Sequence, residues 1–325
     1  MKLLKLVPDD TNIQFLRWRV PFYVVSILLI IASWALVAVN GLNYGVDFEG
    51  GQEVRVTFEG RAEAPIPQLR EQIGALGYGE PTIQRFGEDN QVSIRVRLPA
   101  DAESTPGAAT AIGDRVISDI QANYPNVRQD GNDTVSGKVA GEFRETALFA
   151  LVAAMIAIAL YIWVRFEWQF GVGALFALFH DVSLTAGLFA LFQLEFDLKI
   201  IAAFLTIIGY SLNDTIVIYD RIRENLKKRR KMPLAQLLDL SVNETLARTV
   251  MTSLTLLVVL VALLLLGPES LFGFTAAITL GIFVGTYSSV YMAAPILIWL
   301  GVNSDSFVPQ ESAVELQDKA ARTQA

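Results

Sequence analysis

The 325-residue sequence contains no cysteine and a single histidine. Without cysteine there is no disulfide, thiolate metal site, iron–sulfur cluster or cysteine nucleophile, and one histidine excludes histidine-rich zinc sites. Charged residues are also scarce, at 18% of the chain against about 25% in an average soluble domain. Because 53% of the residues are hydrophobic, the composition disfavours a water-soluble globular protein.

Several enzyme motifs are absent as well. No G-x-x-x-x-G-K-[ST] sequence occurs, so hydrolysis of ATP or GTP through a P-loop is not expected. Gly77–Gly79 lacks the third glycine of a dinucleotide-binding fingerprint, and Asn213 occupies the closing glycine position of a nucleophile elbow. The net charge of −7 argues against a nucleic-acid-binding surface. We therefore expect no enzyme, no cofactor and no nucleic-acid partner.

The hydrophobic residues are concentrated in long segments. About 20 apolar residues in a helix cross a hydrocarbon core. Six segments meet this requirement and are expected to be membrane helices, at residues 20–39, 147–164, 169–192, 199–220, 241–266 and 271–300. Because the first apolar segment is long and five others follow, we interpret it as a retained helix and not as a cleaved signal peptide.

The charges predict how these helices are oriented. Residues 40–146 carry 10 Lys+Arg and 17 Asp+Glu, whereas the loop at 221–240 is strongly basic. Cytoplasmic loops carry the excess of lysine and arginine. We therefore expect the loop and both tails, 1–19 and 301–325, in the cytoplasm. The acidic segment is then expected on the other side of the membrane, which is the periplasm if the cell is Gram-negative.

The acidic segment 40–146 has the pattern of a small folded domain. Alternating apolar residues predict strands at 52–58, 82–86, 91–98 and 126–135, with a turn at 87–90. Apolar residues at helical spacing predict helices at 66–76 and 108–124. The order βαββαβ is typical of an α+β ferredoxin-like domain.

Ionisable residues inside the membrane segments require a reason, because each costs at least about 2.5–3.5 kcal/mol on insertion scales. They are His180, Asp181 and Asp214, with Arg248 at the start of the fifth helix. Asp214 and Arg248 are equidistant from Lys231, so an antiparallel helix pair places them at similar depth. Burial favours a protonated carboxyl group, whereas a nearby arginine favours the ionised one. The two residues therefore form a candidate proton-operated switch.

Alternatives to this switch remain open. Asp214 and Arg248 are also compatible with a static ion pair, and Arg248 with an anchor at the headgroups. Adjacent helical residues point about 100° apart, so His180 and Asp181 are not expected to face one partner. Asp181 is expected to reach Thr185, either as a packing residue or as part of a proton relay. The auxiliary polar residues beside Asp214 are Ser211, Asn213 and Thr215.

Small residues recur every four positions in the sixth segment, at Gly281, Gly285, Ser289 and Ala293. Such a stripe allows the backbones of two membrane helices to approach closely. We therefore interpret it as a helix-packing surface and not as a ligand site.

Several motifs resemble those of the SecD/SecF family. Gly45–Gly51, reading GVDFEGG, resembles the family signature G-[ILV]-D-F-x-G-G, and Gly209–Asn225 is similar to its fourth-span motif. Weaker resemblances occur at Arg165–Trp168, His180–Val182 and Leu246–Thr249. The similarity covers residues 18–301, with one departure at Val135–Val139, where the family usually has Gly-Pro.

The resemblance implies a protein among the lipids of a cell inner membrane, a six-helix half of an RND-superfamily unit that pairs with SecD. Such a unit assists export of preproteins through the SecYEG channel, uses the proton motive force instead of ATP, and has YajC as a further partner. By resemblance, Asp214 and Arg248 couple protons to movement. The alternatives are half of an RND small-molecule exporter or a translocase scaffold. The expected hinge residues are Gly45, Asp47, Phe48, Gly50 and Gly51.

The expected hinge has a simple backbone rationale. Gly50 and Gly51 allow positive φ and hence a sharp turn into the first strand. Asp47 is expected to cap a neighbouring backbone turn through its carboxylate. A connector that only tolerates a turn is the alternative interpretation.

Overall fold

The computed structural model describes residues 7–8, 11–85, 88–97, 108–268 and 271–302. After a 3₁₀ turn (Phe15–Trp18), the elements in chain order are α1 (Arg19–Asn40), β1 (Asn43–Tyr44), α2 (Val46–Glu49), β2 (Gly51–Phe58), α3 (Ile66–Gly74), β3 (Thr82–Arg85), β4 (Gln91–Val96), α4 (Ala108–Asn123), β5 (Val127–Val135), α5 (Gly137–Arg165), α6 (Trp168–Phe192), β6 (Glu195–Phe196), α7 (Leu198–Lys228), α8 (Leu234–Leu266), α9 (Phe272–Ser288), a π-helical turn (Ser289–Ala293) and α10 (Ala294–Trp299).

Six helices are long and apolar enough to cross a membrane, as predicted. They are α1, α5, α6, α7, α8 and the last helix, in which α9 continues through the π-helical turn into α10. The expected loop at 221–240 is wrong, because α7 and α8 cover most of it and only residues 229–233 connect them. Hydropathy detects the part of a helix that lies in hydrocarbon, whereas residues such as lysine, arginine and glutamate continue the helix into water. Most of the predicted C-terminal tail, residues 303–325, lies outside the described residues, as do residues 1–6.

Four strands and two helices form a small domain between α1 and α5. The strand order is β3-β4-β2-β5, and each adjacent pair is antiparallel. Val54 of β2 pairs with Ile94 of β4 and with Asn132 of β5. The chain order of strands and helices matches the prediction, with ends that differ by one to two residues. Residues 86–87, at the predicted turn, lie outside the described residues.

The core of this sheet domain is formed by the apolar residues whose spacing predicted the elements. Alternate residues of β2 and β4 lie under the two helices, where they are buried. They include Val54, Val56, Ile94, Leu69, Ile73, Val116 and Ile120. The opposite face of the sheet carries charged side chains and faces the membrane helices across a polar cavity of about 500 Å³.

A short parallel strand pair links the sheet domain to the membrane helices. β1 follows α1, β6 precedes α7, and Asn43 pairs with Glu195 and Tyr44 with Phe196. Arg95 of β4 forms an ion pair of 3.0 Å with Glu195 and donates to the carbonyl of Tyr44 at 3.3 Å. Two-residue strands are too short for an alternating pattern, so the sequence did not predict this pair.

The stripe of small residues makes a close helix contact, as predicted, and its two glycines on α9 pack against α7. A β-carbon added to Gly281 would lie 2.3 Å from Cγ1 of Ile207, and one added to Gly285 would lie 3.0 Å from Cβ of Ser211. The first distance means that a larger side chain would force Ile207 to shift, and the second is a tight contact in which Ser211 would have to give by a few tenths of an ångström. The glycines therefore set the separation of α7 and α9.

The π-helical turn ends at Ala293, two positions before Pro295, which has no N–H and disfavours a regular helix one turn earlier. Two carbonyls at this turn accept hydrogen bonds from tyrosine hydroxyls. Tyr219 of α7 donates to Ala293 at 3.0 Å, and Tyr23 of α1 donates to Met292. The irregular turn is therefore held by side chains from two other helices.

Candidate functional site

A cluster of buried polar side chains lies where α6, α7 and α9 meet. Its members project from one face of each helix, because residues three and four apart in a helix are neighbours. They are His180, Asp181, Ser211, Asp214, Thr215, Ser288 and Ser289, and all are buried. Gly285 stands beside this cluster, and its missing side chain lets Ser211 approach α9.

Asp181 is the most extensively hydrogen-bonded member. Its Oδ2 accepts hydrogen bonds from Ser211 at 2.6 Å and from Ser288 at 2.9 Å. Its Oδ1 lies 2.9 Å from Nδ1 of His180. Three elements of the bundle therefore converge on one carboxylate, and each has an oriented polar group directed at it.

Among the described residues no third group bonds to both His180 and Asp181, as expected from their divergence around the helix, although their side chains bond to each other at 2.9 Å. The prediction that the side chain of Asp181 reaches Thr185 is wrong. Thr185 donates to the main-chain carbonyl of Asp181 at 2.9 Å, not to its carboxylate. This is the usual hydrogen bond of a helical threonine to the carbonyl four positions earlier.

Asp214 differs from Asp181 in its partners. Its side chain is only 2% exposed, and its Oδ2 has no hydrogen-bond partner among the described residues. The next residue, Thr215, bonds to Ser289 at 3.0 Å. An ionised carboxylate there lacks the donors that stabilise a buried charge. Asp214 is therefore suited to a change of protonation or of partner.

Arg248 does not contact Asp214 in this structure. It is exposed on α8 and forms no ion pair with any described residue, so neither the predicted switch contact nor a static pair is present. On the same two helices, about one turn away, Tyr210 and Ser253 are joined by a hydrogen bond of 3.0 Å. Asp214 and Arg248 therefore lie at similar depth. Thr249 is buried, and Arg248 precedes it by one position, about 100° around the helix.

The auxiliary polar residues beside Asp214 divide into buried and exposed ones. Ser211 and Thr215 belong to the buried cluster, whereas Asn213 is exposed on the opposite side of α7. Ser288 was not singled out from the sequence, although its position beside the small residue Ser289 was a usable signal. Within the described residues, no group of three or more histidine and acidic side chains is arranged to hold a metal ion.

The glycine motif forms a compact connector between α1 and β2. Its centre is the one-turn helix α2, followed by Gly50 at φ 74° and Gly51 at φ 137°, so the predicted positive φ values are confirmed. A β-carbon on Gly45 would lie 2.8 Å from Oε1 of Glu195. The stronger requirement for glycine is at Gly51, where the backbone has positive φ and an added β-carbon would lie 2.8 Å from the main-chain oxygen of Val96.

Asp47 caps a distant helix and not a neighbouring turn, so that prediction is wrong. Its Oδ2 accepts a hydrogen bond of 3.1 Å from the backbone N–H of Leu198, the first residue of α7. Asp197 accepts from Ile200 at 3.2 Å in the same turn. Two aspartates therefore satisfy N–H groups that a helix start leaves free.

Phe48 anchors the connector in the membrane part of the protein. It is buried, and its ring centroid is 5.9 Å from that of Phe196. The same apolar cluster contains Ala147 of α5, Phe189 of α6 and Ile200 of α7. The connector is consequently packed against three membrane helices, including the helix that carries Asp214.

Charged groups around the connector complete the junction. Burial raises the pKa of Glu195, and the opposing attraction of Arg95 does not cancel this effect. Arg95 is itself only 8% exposed. No sequence pattern marked this ion pair, because its partners lie in different domains.

Two segments of this sequence match regions of one known family. Residues 116–303 match the family described as protein export membrane protein SecD/SecF, C-terminal, and residues 35–60 match the SecD/SecF GG motif. The second match covers the connector whose geometry is given above.

Curated relatives are similar over almost their whole length. The protein translocase subunit SecF of Rhodobacter capsulatus is 44% identical over 309 residues, covering 92% of each chain. That of Vibrio alginolyticus is 39% identical over 310 residues, covering 95% of this chain and 96% of the relative.

A crystal structure of SecDF from Thermus thermophilus, a translocon-associated membrane protein, is similar with a TM-score of 0.77 and 34% identity. The alignment covers 90% of this chain and 39% of that one, so this chain spans about two fifths of the solved protein. The matches over most of the sequence, the GG-motif connector and the six-helix architecture agree. The chain therefore belongs to the SecD/SecF family of protein export membrane proteins.

Proposed function

We propose that this chain acts as the SecF-type subunit of a preprotein translocase. In this proposal it pairs with SecD, works beside SecYEG and YajC, and uses the proton motive force without ATP to assist export of preproteins. The observation that carries the proposal is the position of Asp214. It is a buried carboxylate with an unsatisfied oxygen, on a helix whose first turn is capped by the connector to the sheet domain.

The proposed orientation has the sheet domain in the periplasm of an inner membrane. Exposed tryptophans at the opposite ends of four helices support it, because tryptophan is enriched at membrane interfaces. They are Trp18, Trp163, Trp168 and Trp299. The basic run at 227–231 is at the same end, which is where cytoplasmic loops carry positive charge.

Polar residues on the outward face of the α7–α8 pair support the presence of a partner protein within the membrane. Asn213 on α7 and Arg248 and Thr255 on α8 are exposed at positions that lipid would otherwise surround. A charged group facing hydrocarbon is costly, and polar side chains join membrane helices to one another. We propose that SecD packs against this face and that an acidic group of SecD pairs with Arg248.

The coupling in this proposal begins with a proton on Asp214. Adding or removing that proton changes the buried charge on α7 and hence the preferred packing of this helix. Movement of α7 reaches the sheet domain through Asp47, which caps its first turn, and through the β1–β6 pair. One elementary charge crossing about 100 mV supplies roughly 2.3 kcal/mol, enough to bias a two-state movement.

Replacement of Asp214 tests the proposal. Asp214→Asn keeps the size of the side chain but cannot carry the charge, so proton-driven export into vesicles with SecD is expected to be lost while assembly is retained. Asp220→Asn is the matched control, because Asp220 is an exposed carboxylate on the same helix. Normal export by an assembled Asp214→Asn protein would refute proton coupling at this residue and favour a scaffold.

Arg248 has its own test. Arg248→Met keeps an unbranched side chain but removes the charge, and we expect reduced export and weaker copurification of SecD. Arg248→Lys is expected to retain part of both activities because it keeps the charge. If Arg248→Met exports and pairs with SecD normally, the residue is only an anchor at the headgroups.

A further inference from the structure

His180 is fully buried on α6 and has one ring nitrogen in use. Its Nδ1 lies 2.9 Å from Oδ1 of Asp181, whereas its Nε2 is buried without a hydrogen-bond partner among the described residues. Every neutral imidazole has one nitrogen that carries hydrogen and one that can accept it. A buried ring nitrogen without a partner is uncommon, because a buried polar group that loses its bonds to water normally gains a partner in the protein.

The hydrogen bonds of Asp181 indicate which nitrogen carries the hydrogen. The hydroxyl of Ser211 has Oδ2 of Asp181 as its acceptor, at 2.6 Å. Ser288 has two acceptors within reach, Oδ2 of Asp181 at 2.9 Å and the carbonyl of Gly285 at 3.1 Å. Both hydroxyls are donors, so they match a carboxylate whose oxygens only accept, and Oδ1 of that carboxylate then accepts the N–H of Nδ1 of His180. The free lone pair is then on Nε2.

We propose that His180 and Asp181 form a second proton-holding site, separate from Asp214. The added proton resides on Nε2 of His180, and the resulting imidazolium is paired with the Asp181 carboxylate across Nδ1. With that proton the pair is neutral overall, and without it the pair carries one negative charge, stabilised by the serine hydroxyls. The site rests on the proposed function in that its proton is one of those moved during export.

The surroundings of the pair contain few other titratable groups. The neighbouring helices contribute Tyr23 from α1, Asp214 from α7 and Tyr287 from α9. The rings of Tyr287 and His180 have centroids 5.9 Å apart, and the Tyr287 hydroxyl bonds to Ser26 at 2.8 Å. No hydrogen bond joins Asp214 to Asp181 in the described part of the chain. The two carboxylates can therefore be tested one at a time.

Histidine labelling tests the site directly, because His180 is the only histidine of the chain. The full-length chain is made with ¹⁵N-histidine and a histidine-free affinity tag, and is reconstituted with unlabelled SecD. Solid-state NMR distinguishes the neutral tautomers from imidazolium between about pH 5 and pH 9, on either side of the usual histidine pKa of roughly 6.5. We expect an Nδ1–H tautomer that converts to imidazolium within this range. A single neutral form throughout would overturn the proposal.

Three variants separate the alternatives. In Asp181→Asn, imidazolium is expected to disappear from the same range, because its charge is no longer balanced. An unchanged transition would show that Asp181 has no part in the site. Ser288→Ala keeps the pair and is expected to move the midpoint of the transition, which provides the test if Asp181→Asn fails to assemble. Asp214→Asn is expected to leave a histidine transition in place, and its disappearance would show a single site.

Export measurements link the site to function. His180→Gln is expected to change the pH profile of proton-driven export, whereas Thr185→Val, a change of similar size on the same helix, is not. An unchanged His180→Gln profile would overturn the role in export. If Asp214→Asn exports normally while His180 titrates, the proposed function fails and the second site stands. If Asp214→Asn is inactive while His180 stays neutral, the second site fails and the proposed function stands.

Discussion

The carboxylate of Asp47 accepts a hydrogen bond from the backbone N–H of Leu198, 151 positions later in the chain, at 3.1 Å. Leu198 is the first residue of α7, and Asp47 lies in the connector between α1 and the sheet domain. The N-terminus of α7, the helix that carries Asp214, is therefore capped by a side chain of this connector. A local cap from Asp197 occupies the same turn, so one helix start has both a local and a distant partner.

Asp47→Ala is expected to weaken the junction without unfolding the protein. Loss of a helix cap costs about 0.5–2 kcal/mol, and the remaining cap from Asp197 keeps α7 helical. We expect faster hydrogen exchange at the first turn of α7 and reduced export with SecD. Asp47→Asn, which caps equally well, is expected to restore both.

Asp197→Ala is the matched control for this experiment. It removes a cap of similar energy from the same helix but leaves the connector attached, so export is expected to fall less than in Asp47→Ala. Equal losses of export in the two variants would mean that the stability of α7, and not its link to the connector, is what matters.

Gly51→Ala is expected to destabilise the sheet domain more than Gly60→Ala. Both glycines have positive φ, at 137° and 79°, and so both substitutions strain the backbone. Only at Gly51 would the added β-carbon also lie 2.8 Å from the main-chain oxygen of Val96, whereas nothing lies within 4 Å at Gly60. Thermal unfolding followed by circular dichroism measures the difference, and equal melting temperatures would contradict it.

The paired glycines are expected to matter for export as well. Valine at both Gly50 and Gly51 removes easy access to positive φ and should abolish export, with Asp214 and Arg248 unchanged. An assembled double-valine protein that exports normally would show that the connector is only a linker.

Glu195 makes the junction sensitive to pH. Since burial raises its pKa in the folded state, the folded protein holds that proton more tightly than the unfolded chain does. The stability that this group contributes is fully present below the ordinary glutamate pKa of about 4.3 and is lost as pH rises through the raised value. Glu195→Gln removes this dependence. We therefore expect the melting temperature of Glu195→Gln, relative to the unsubstituted protein, to increase with pH.

The opposite trend would identify the Arg95–Glu195 contact of 3.0 Å as a net stabilising ion pair. In that case the ionised carboxylate would strengthen the fold, and Glu195→Gln would lose most at neutral pH. Melting curves in one detergent between about pH 4.5 and pH 8, where the glutamate charge changes, distinguish the two results.

Gly281→Ala is expected to destabilise the bundle by about 1–3 kcal/mol, the range for overpacking a tight interface. Its β-carbon would lie 2.3 Å from Cγ1 of Ile207, so the Ile207 side chain or the α7–α9 contact must shift. Gly141→Ala is the control, because nothing lies within 4 Å of that position on α5 and alanine favours a helix by about 1 kcal/mol over glycine. Comparable unfolding free energies for the two variants would show that α9 does not require glycine here.

The amino-acid sequence by itself determined the elements and their order. Six apolar segments have the length that a hydrocarbon core requires, and residues such as Val54 and Val56 alternate as a half-buried strand must. The small residues around Gly281 predicted a close helix contact, because backbone approach depends directly on side-chain size. Depth was also accessible, since an antiparallel pair joined by a short connection places Asp214 and Arg248 at similar levels.

Only the tertiary structure decided which side chains meet. Depth follows from counting residues, but direction depends on how each helix is rotated about its axis, and packing over its whole length sets that rotation. Thr249 faces the bundle, so Arg248 faces outward and does not reach Asp214. Asp47 reaches Leu198 for a related reason: the β1–β6 pair brings two segments together that share no local pattern, and their contact exists only when the whole chain is folded.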